Sequence, residues 1–496
     1  MIFDFQYIGG KFLVSEVDEN GEIILNYYNW NDPKKFQPCY PHDKDRHPRF
    51  QTWDRKPVKL VPTTRPNRFA CYEFIDALPA AELERLHTFR APKIFFMDIE
   101  TEILPTGFVE PKDASSQVLT VATVYGNKAV VLGLKPLNNQ QTAKIKADLE
   151  NHFTKFGLTV DFHYKCFADY GDKAEYQMLK YLFEKMIPRM PVITGWNFTD
   201  YDWTFLVNRC RRLGIDPTLA SFTNRLEPVF NTDIEVPAHR LIVDYMGIYK
   251  KWDTSVKVKE SASLDWVGEK LCGVRKVHYD GNLQDLYDKD FVKYVFYNVA
   301  DTILVQLIHE KTKLMDIMFS IANLAKIRLC DFSYKNLDTT LVATEGFLRN
   351  DFRDKKNIVL CKDNDQEEDT ETIEGGFVKK PHKGMNNWVV TYDFASLYPT
   401  IQRQFNIAPE NFKGIESKSN PGFADWDGNL SPIEEDDIVC NNGAVFSREE
   451  SVTVNFLADV YKQRKVAKGK MTDAIAKQKE TEAEIRALEA ELEGLG

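Results

Sequence analysis

The chain has eight cysteines in 496 residues, and none forms a Cys-x-x-Cys pair. That excludes a zinc ribbon or a thioredoxin-like redox motif, and the wide spacing suits reduced thiols inside a cell. No apolar run has the length of a membrane span. The opening Met1-Ile2-Phe3-Asp4-Phe5 lacks the basic and apolar segments of a secretory signal. A soluble cytoplasmic protein is the expectation. Positive charge is not in excess: 64 Lys and Arg stand against 74 Asp and Glu, a net charge of −10. Binding of nucleic acid by bulk charge is thereby excluded, but a local basic cleft or clustered catalytic carboxylates are not. Internal repeats are also missing. What remains is ordinary globular composition, 43% hydrophobic and 28% charged, rich in Phe and Tyr and long enough for about three domains.

The first 90 or so residues are expected to be strand-rich. Phe12-Leu13-Val14 and Ile23-Ile24-Leu25 flank the turn signal Asp18-Glu19-Asn20-Gly21. Asn31 to Pro66 is polar and Pro-rich, and reads as irregular surface. From Ala91 onward, short apolar runs (Ile94–Met97, Gln117–Val124, Ala129–Leu132, Pro191–Trp196) alternate with helical segments at Lys173–Met186 and Phe291–Lys313. Such alternation indicates an α/β domain. Asp363–Thr372 reads as an exposed acidic loop, and Trp388–Tyr392 as a strand. Val452–Leu495 is helix-like, with a short apolar seam at Ile485, Leu488 and Leu492 and a Gly-containing end.

Asp98 and Glu100 stand two apart on a predicted strand, so both carboxylates share one face. Two acids after an apolar run are costly unless a cation neutralises them, and a divalent ion does so. Asp202 follows the strand and turn at Gly195–Thr199, near a helix start. Tyr297 and Asp301 are four apart on a helix and share a face. Acids in this number can hold two metals that activate water against a phosphodiester. Each piece has a blander account: Asp202 as an N-cap, Asp98 and Glu100 as a solvated strand end, Tyr297 and Asp301 as a core tyrosine and a surface acid.

Asp98-Ile99-Glu100, Asn197-x-x-x-Tyr201-Asp202 and Tyr297-x-x-x-Asp301 resemble, in order, the three exonuclease motifs of proofreading DNA polymerases. The resemblance implies that Asp98, Glu100, Asp202 and Asp301 carry metal, that Tyr297 orients the attacking water, and that Asn197 contacts DNA. Asp200 is an extra acid outside the motif. Val243-Asp244-Tyr245, Tyr249-Lys250-Lys251 and Ser263-Leu264-Asp265 resemble linking segments of the T-even-type phage replicative polymerases.

Asp393-Phe394-Ala395-Ser396-Leu397-Tyr398-Pro399-Thr400 resembles the first palm motif of family B DNA polymerases. The resemblance implies metal binding by Asp393 and the Phe394 carbonyl. It implies a nest of N–H groups at Ser396, Leu397 and Tyr398 for a triphosphate, with Tyr398 placed to clash with a ribose 2′-hydroxyl. Gly375 and Gly376 resemble a template-contacting segment, although Ile373 replaces the Tyr common there. Arg464 and Lys468 share a helix face. Alone they are a solvated basic patch, but after the palm motif they resemble the triphosphate contacts of the first fingers helix.

The family's second fingers motif and its palm Asp-Thr-Asp motif do not occur in the sequence. Two-metal polymerisation needs both palm aspartates. The expectation is therefore the N-terminal subunit of a split replicative polymerase, with a complete 3′→5′ exonuclease and half of a polymerase site. The implied fold is multidomain α/β and α+β. It comprises a β-rich N-terminal domain (1–90), a ribonuclease-H-like exonuclease (91–314), a return segment (315–367), a partial palm (368–450) and a first fingers helix (451–496). Implied cofactors and partners are Mg²⁺ (with Mn²⁺ as a substitute), primer-template DNA, a single-stranded 3′ end and deoxynucleoside triphosphates. A second polymerase chain, against which the apolar seam would pack, and through it a sliding clamp complete the set, in the cytoplasm of an infected bacterial host and away from membrane. The competing readings are a stand-alone exonuclease with a vestigial palm and a non-catalytic nucleic-acid-binding regulator.

Overall fold

A computed structural model describes residues 1–30, 39–41, 51–52, 58–60, 68–105, 107–229, 232–253, 260–331, 346–347, 349, 357–358, 379–380, 383–385, 387–394, 396–416 and 431–493. The chain divides into two compact units: Met1–Gln37 with Pro62–Phe347, and Pro38–Val61 with Leu348–Gly496.

The first unit begins with an antiparallel sheet of β1 (Ile2–Ile8), β2 (Lys11–Val17) and β3 (Ile23–Asn29). The expected hairpin is β2–β3, with Val14 opposite Asn26. Asp18 closes its turn by accepting from the N–H groups of Asn20 and Glu22. Helices α1 (Arg68–Asp76) and α2 (Ala80–His87) follow. Phe5, Phe12, Trp30, Tyr72 and Phe74 pack as an aromatic cluster between sheet and helix.

A six-stranded mixed sheet forms the centre of this unit. Its strands are β4 (Ile94–Thr101), β5 (Val118–Tyr125), β6 (Lys128–Gly133), β7 (Asp161–Cys166), β8 (Val192–Gly195) and β9 (Leu241–Asp244). Their spatial order is β7-β6-β5-β4-β8-β9. The β4–β5 and β5–β6 pairs are antiparallel, and the outer pairs are parallel. Strand β4 shows how period two sorts residues. Met97 and Ile99 enter one apolar core and Phe96 the other, so Asp98 and Glu100 fall on the Phe96 face.

Helices cover both faces. Those needed below are α3 (Asn139–His152), α4 (Ala174–Tyr181), α5 (Thr204–Arg212), α6 (Tyr245–Trp252), α7 (Leu264–Cys272), α8 (Leu283–Lys289), α9 (Phe291–Thr312) and α10 (Leu314–Leu324). By length and apolar content α9 could reach across a bilayer, which qualifies the expectation that no segment could. It is buried along most of its length, as the core helix of this unit. Far-separated segments are tied by a buried polar network. Asp4 accepts from Arg328 (3.1 Å) and from the His239 N–H (3.0 Å), and Arg328 also bonds Asp331 (2.5 Å).

In the second unit, α11 (Leu397–Gln404) precedes a three-stranded antiparallel sheet of β10 (Phe412–Ile415), β11 (Ile438–Val439) and β12 (Ala444–Phe446). The 42-residue helix α12 (Val452–Glu493) follows. Buried Glu410 anchors its first turn by accepting from Ser451 Oγ (2.7 Å) and the Thr453 N–H (2.9 Å). Trp388–Tyr392 is a correction to the sequence reading. It forms no strand, and Trp388 and Tyr392 are 98% and 91% exposed. An apolar run encodes a wish for burial, and no described strand lies beside this one to pair with it.

The fold is thus multidomain, mixing helices and sheets, with a β-rich N-terminus. Most of Asn31–Pro66, the Asp363–Thr372 segment, Gly375, Gly376 and the chain end at Gly494-Leu495-Gly496 lie outside the described residues.

Candidate active site

Three elements of the first unit bring the four exonuclease-type acids together. Strand β4 supplies Asp98 and Glu100, with a β-bulge between Glu100 and Thr101. A bulge here re-aims the strand end beside the site. Asp202 lies in a π-helical turn, Thr199–Trp203, that leads into α5. The wide turn directs its side chain at β4, where Asp202 Oδ1 accepts from the Ile99 N–H at 3.0 Å. It therefore bridges two elements rather than capping its own helix. Close approach of strand and turn requires a glycine at 195, since a Cβ there would stand 2.4 Å from the Met97 carbonyl oxygen. Asn197 starts the turn in the left-handed region, at φ 61°.

Asp301 and Tyr297 project from α9, both buried. Asp301 Oδ2 pairs with Lys276 Nζ at 2.6 Å, while Oδ1 is buried with no hydrogen-bond partner. Asp98 Oδ2 accepts from Asn298 Nδ2 at 2.7 Å, and Asn298 Oδ1 accepts from Thr120 on β5. Lys276 Nζ also lies 5.0 Å from the Tyr297 ring centre. Tyr279 meets the same ring edge-on at 5.2 Å. Tyr201 hydroxyl lies 3.3 Å from Thr101 Oγ1 and its ring stacks on Phe205, bracing the turn. Asp244 caps α6 and also accepts from the Phe198 N–H at 3.3 Å, pinning the same turn from the other side. Asp200 is exposed on the turn's outer side.

Four carboxylates against one lysine leave an excess of negative charge in a poorly solvated place. Burial, then Asp301, pushes Asp98 up to about 7. Burial also holds Glu100, Asp202 and Asp301 above the usual carboxylate range. Burial pulls Lys276 down, but Asp301, Asp98 and Glu100 outweigh it and keep the ammonium charged. Burial raises the Tyr297 phenol, with Asp301, Glu100 and Asp98 adding to it, so it stays protonated and can donate. Orphaned Asp301 Oδ1 and this uncompensated charge suit a hard divalent cation with oxygen ligands.

Sequence reasoning missed Lys276 and Asn298. Asn298 carried a signal, since it sits three residues before Asp301 on one helix face. Lys276 carried none, because it comes from the loop after α7.

The second unit holds the other predicted group. Asp393, Phe394, Leu397 and Tyr398 are exposed. Ser396 has φ 52° and leads directly into α11, a left-handed residue before a right-handed run. That backbone sequence is the geometry of an anion-binding nest. Arg464 Nη1 donates to Ser396 Oγ at 3.3 Å, so two residues 68 apart are brought together. Arg403 lies over the Tyr461 ring at 5.4 Å, holding α11 on α12. Lys468 is exposed one turn beyond Arg464.

Residues 80–265 match the exonuclease domain of DNA polymerase family B, and residues 339–489 match DNA polymerase family B itself. The chain is similar to the DNA-directed DNA polymerase of Escherichia phage RB69, 26% identical over 297 residues, which is 57% of this chain and 31% of the relative. The corresponding Enterobacteria phage T4 protein is 24% identical over 293 residues, again 57% and 31%. A Sulfolobus acidocaldarius DNA polymerase 1 is 26% identical over 335 residues, 63% of this chain and 34% of the relative. The chain thus spans about a third of the length of the relatives it matches. With its exonuclease domain and part of the polymerase domain, the chain belongs to family B of the DNA polymerases.

Proposed function

We propose that this chain is the N-terminal subunit of a split replicative DNA polymerase and that its first unit is a 3′→5′ proofreading exonuclease. The observation that carries the nuclease reading is the convergence of Asp98, Glu100, Asp202 and Asp301 from three elements, with Lys276 paired to Asp301. Those four acids would hold divalent ions, Mg²⁺ or in its place Mn²⁺. When bound, the ions polarise a water and offset the charge of the phosphodiester. The chain's own groups do the rest. Tyr297 donates its hydroxyl hydrogen bond to the attacking water and fixes its direction. Lys276 limits repulsion among the acids and reaches toward the phosphate, and Asn197 contacts the DNA strand. Water adds at the terminal phosphorus, the 3′ oxygen of the remaining strand leaves, and a deoxynucleoside 5′-monophosphate departs.

For the second unit, the proposal assigns Asp393 and the Phe394 carbonyl to metal. Ser396, Leu397, Tyr398, Arg464 and Lys468 take an incoming triphosphate, and Gly375 and Gly376 the template. Ser396 beside Arg464 supports this assignment. The second palm carboxylate would come from a second polymerase chain, and a clamp contact through it. The domain division given from sequence is part of the same proposal, as is a cytoplasmic site in an infected bacterium, on the similarity to phage proteins.

The test is a gel with the purified chain, a 5′-labelled primer on a template, Mg²⁺ and four deoxynucleotides. Shortening without extension is expected, and Asp98→Ala should abolish it. An intact primer with either Mg²⁺ or Mn²⁺ overturns the nuclease. Templated extension by this chain alone overturns the split.

A further inference from the structure

Every residue of α12 from Lys462 to Glu491 is exposed. Met471, Ile485 and Leu488 are 55%, 49% and 59% exposed. A helix this long that is bare on all sides gains nothing from burial, and isolated helices are marginal in water. A partner helix is the usual remedy, and the residues specify which one.

As a seven-residue repeat, the stretch places Met471, Gln478 and Ile485 at a, and Ala474, Thr481 and Leu488 at d. The flanking g positions are Lys470, Lys477, Glu484 and Glu491, basic in the first half and acidic in the second. In antiparallel pairing of two identical helices, a layers face d layers and g flanks face g flanks. A single alignment then sets Met471 against Leu488, Ala474 against Ile485, and Gln478 against Thr481. The same alignment sets Lys470 against Glu491 and Lys477 against Glu484 on one flank, and Ile475 against Glu482 on the other. Each pair occurs twice by symmetry, and both g–g pairs have opposite charge. Parallel pairing would instead oppose like-charged Glu484 and Glu489 and set Lys470 against Ile475, leaving Lys477 with Glu482 as the pair of opposite charge.

We propose that, in the chain without its second polymerase partner, the distal part of α12 docks antiparallel on α12 of a second copy of this chain; this rests on the split proposed above only in that the two partners would compete for one face. The polar Gln478–Thr481 layer at the centre fixes register at a cost in stability, so the pairing is weak and sensitive to salt.

Sedimentation velocity on the full chain, from ~1 to ~100 µM, tests this. The chain should shift toward dimer with concentration, less so at high salt. Lys470→Glu with Lys477→Glu should weaken association by at least about tenfold, as should Glu484→Lys with Glu491→Lys. An equimolar mixture of the two variants should restore it, because both g–g pairs are again of opposite charge. A chain that stays monomeric throughout, variants that still self-associate, or a mixture that stays monomeric each overturns the proposal. A chain carrying Gln478→Cys mixed with one carrying Thr481→Cys should form the mixed disulfide under mild oxidation. Linkage of Gln478→Cys to itself instead would indicate parallel pairing and overturn it.

Discussion

Asp98, Glu100, Asp202 and Asp301 come from three elements of one unit; Asp202 and Asp301 are buried and Asp98 and Glu100 half-buried, and burial first, then neighbouring acids, raises the proton affinity of Asp98, Glu100 and Asp202. Asp393 stands exposed in the other unit, ahead of a nest of backbone N–H groups. The first group has its charge gathered before any ion arrives, and under the proposed function cation binding would relieve that repulsion. The second has one exposed carboxylate ahead of a left-handed Ser396, and under the proposed function it needs ions and substrate together. Preorganisation in the first is electrostatic, and in the second it is backbone shape.

The sharpest way to break this comparison is to remove one enclosed acid. Asp98→Ala or Asp202→Ala should lower nuclease rate by ~10³-fold or more, while Asp98→Asn should leave the fold intact by circular dichroism. A loss under tenfold in single-turnover digestion would show that the four acids do not act as a unit. Next, Lys276→Met should cost ~10–100-fold and shift the metal dependence, with Lys276→Arg recovering part. If both variants behave alike, the positive charge is not what matters.

Proton affinity gives a third test. Asp98 ionises near its ordinary value of about 4 when unfolded and at about 7 when folded. Between those values the folded state holds a proton that the unfolded state has released. Its contribution to stability is therefore full below pH ~4 and lost as pH rises to about 7. In chelator, the melting temperature of the wild type should fall from pH 5 to 7.5 more steeply than that of Asp98→Asn. Equal slopes would place the titration elsewhere. The smallest effect concerns the contrast itself: Asp393→Ala should change nuclease rate by less than about twofold, since Asp393 belongs to the other compact unit.

Local periodicity made the shared faces of the site legible, and only the resemblance to the exonuclease motifs joined Asp98, Glu100, Asp202 and Asp301 into one site. Two residues apart on β4 and four apart on α9 each fix a shared face before any tertiary contact is known. The β2–β3 hairpin was legible from its Asp and Gly turn. Lys276 was not, since its role exists only once the loop after α7 folds against α9. Trp388–Tyr392 misled because hydrophobicity reports a demand for burial and not the surface that meets it. The π-helical turn carrying Asp202 read simply as a helix start. Its extra width has no periodic signature in five residues, yet it lets Asp202 reach the Ile99 N–H.

The bond between Asp4 and Arg328 spans 324 residues. At synthesis rates of about 5–20 residues per second, Asp4 leaves the ribosome roughly 16–65 s before its guanidinium partner exists. During that interval the first sheet can form its hairpins but cannot be locked in place. The N-terminal strands are therefore made first but completed only once residue 328 has emerged, and until then Asp4 has at most its Phe5 and His239 N–H partners and no countercharge from Arg328.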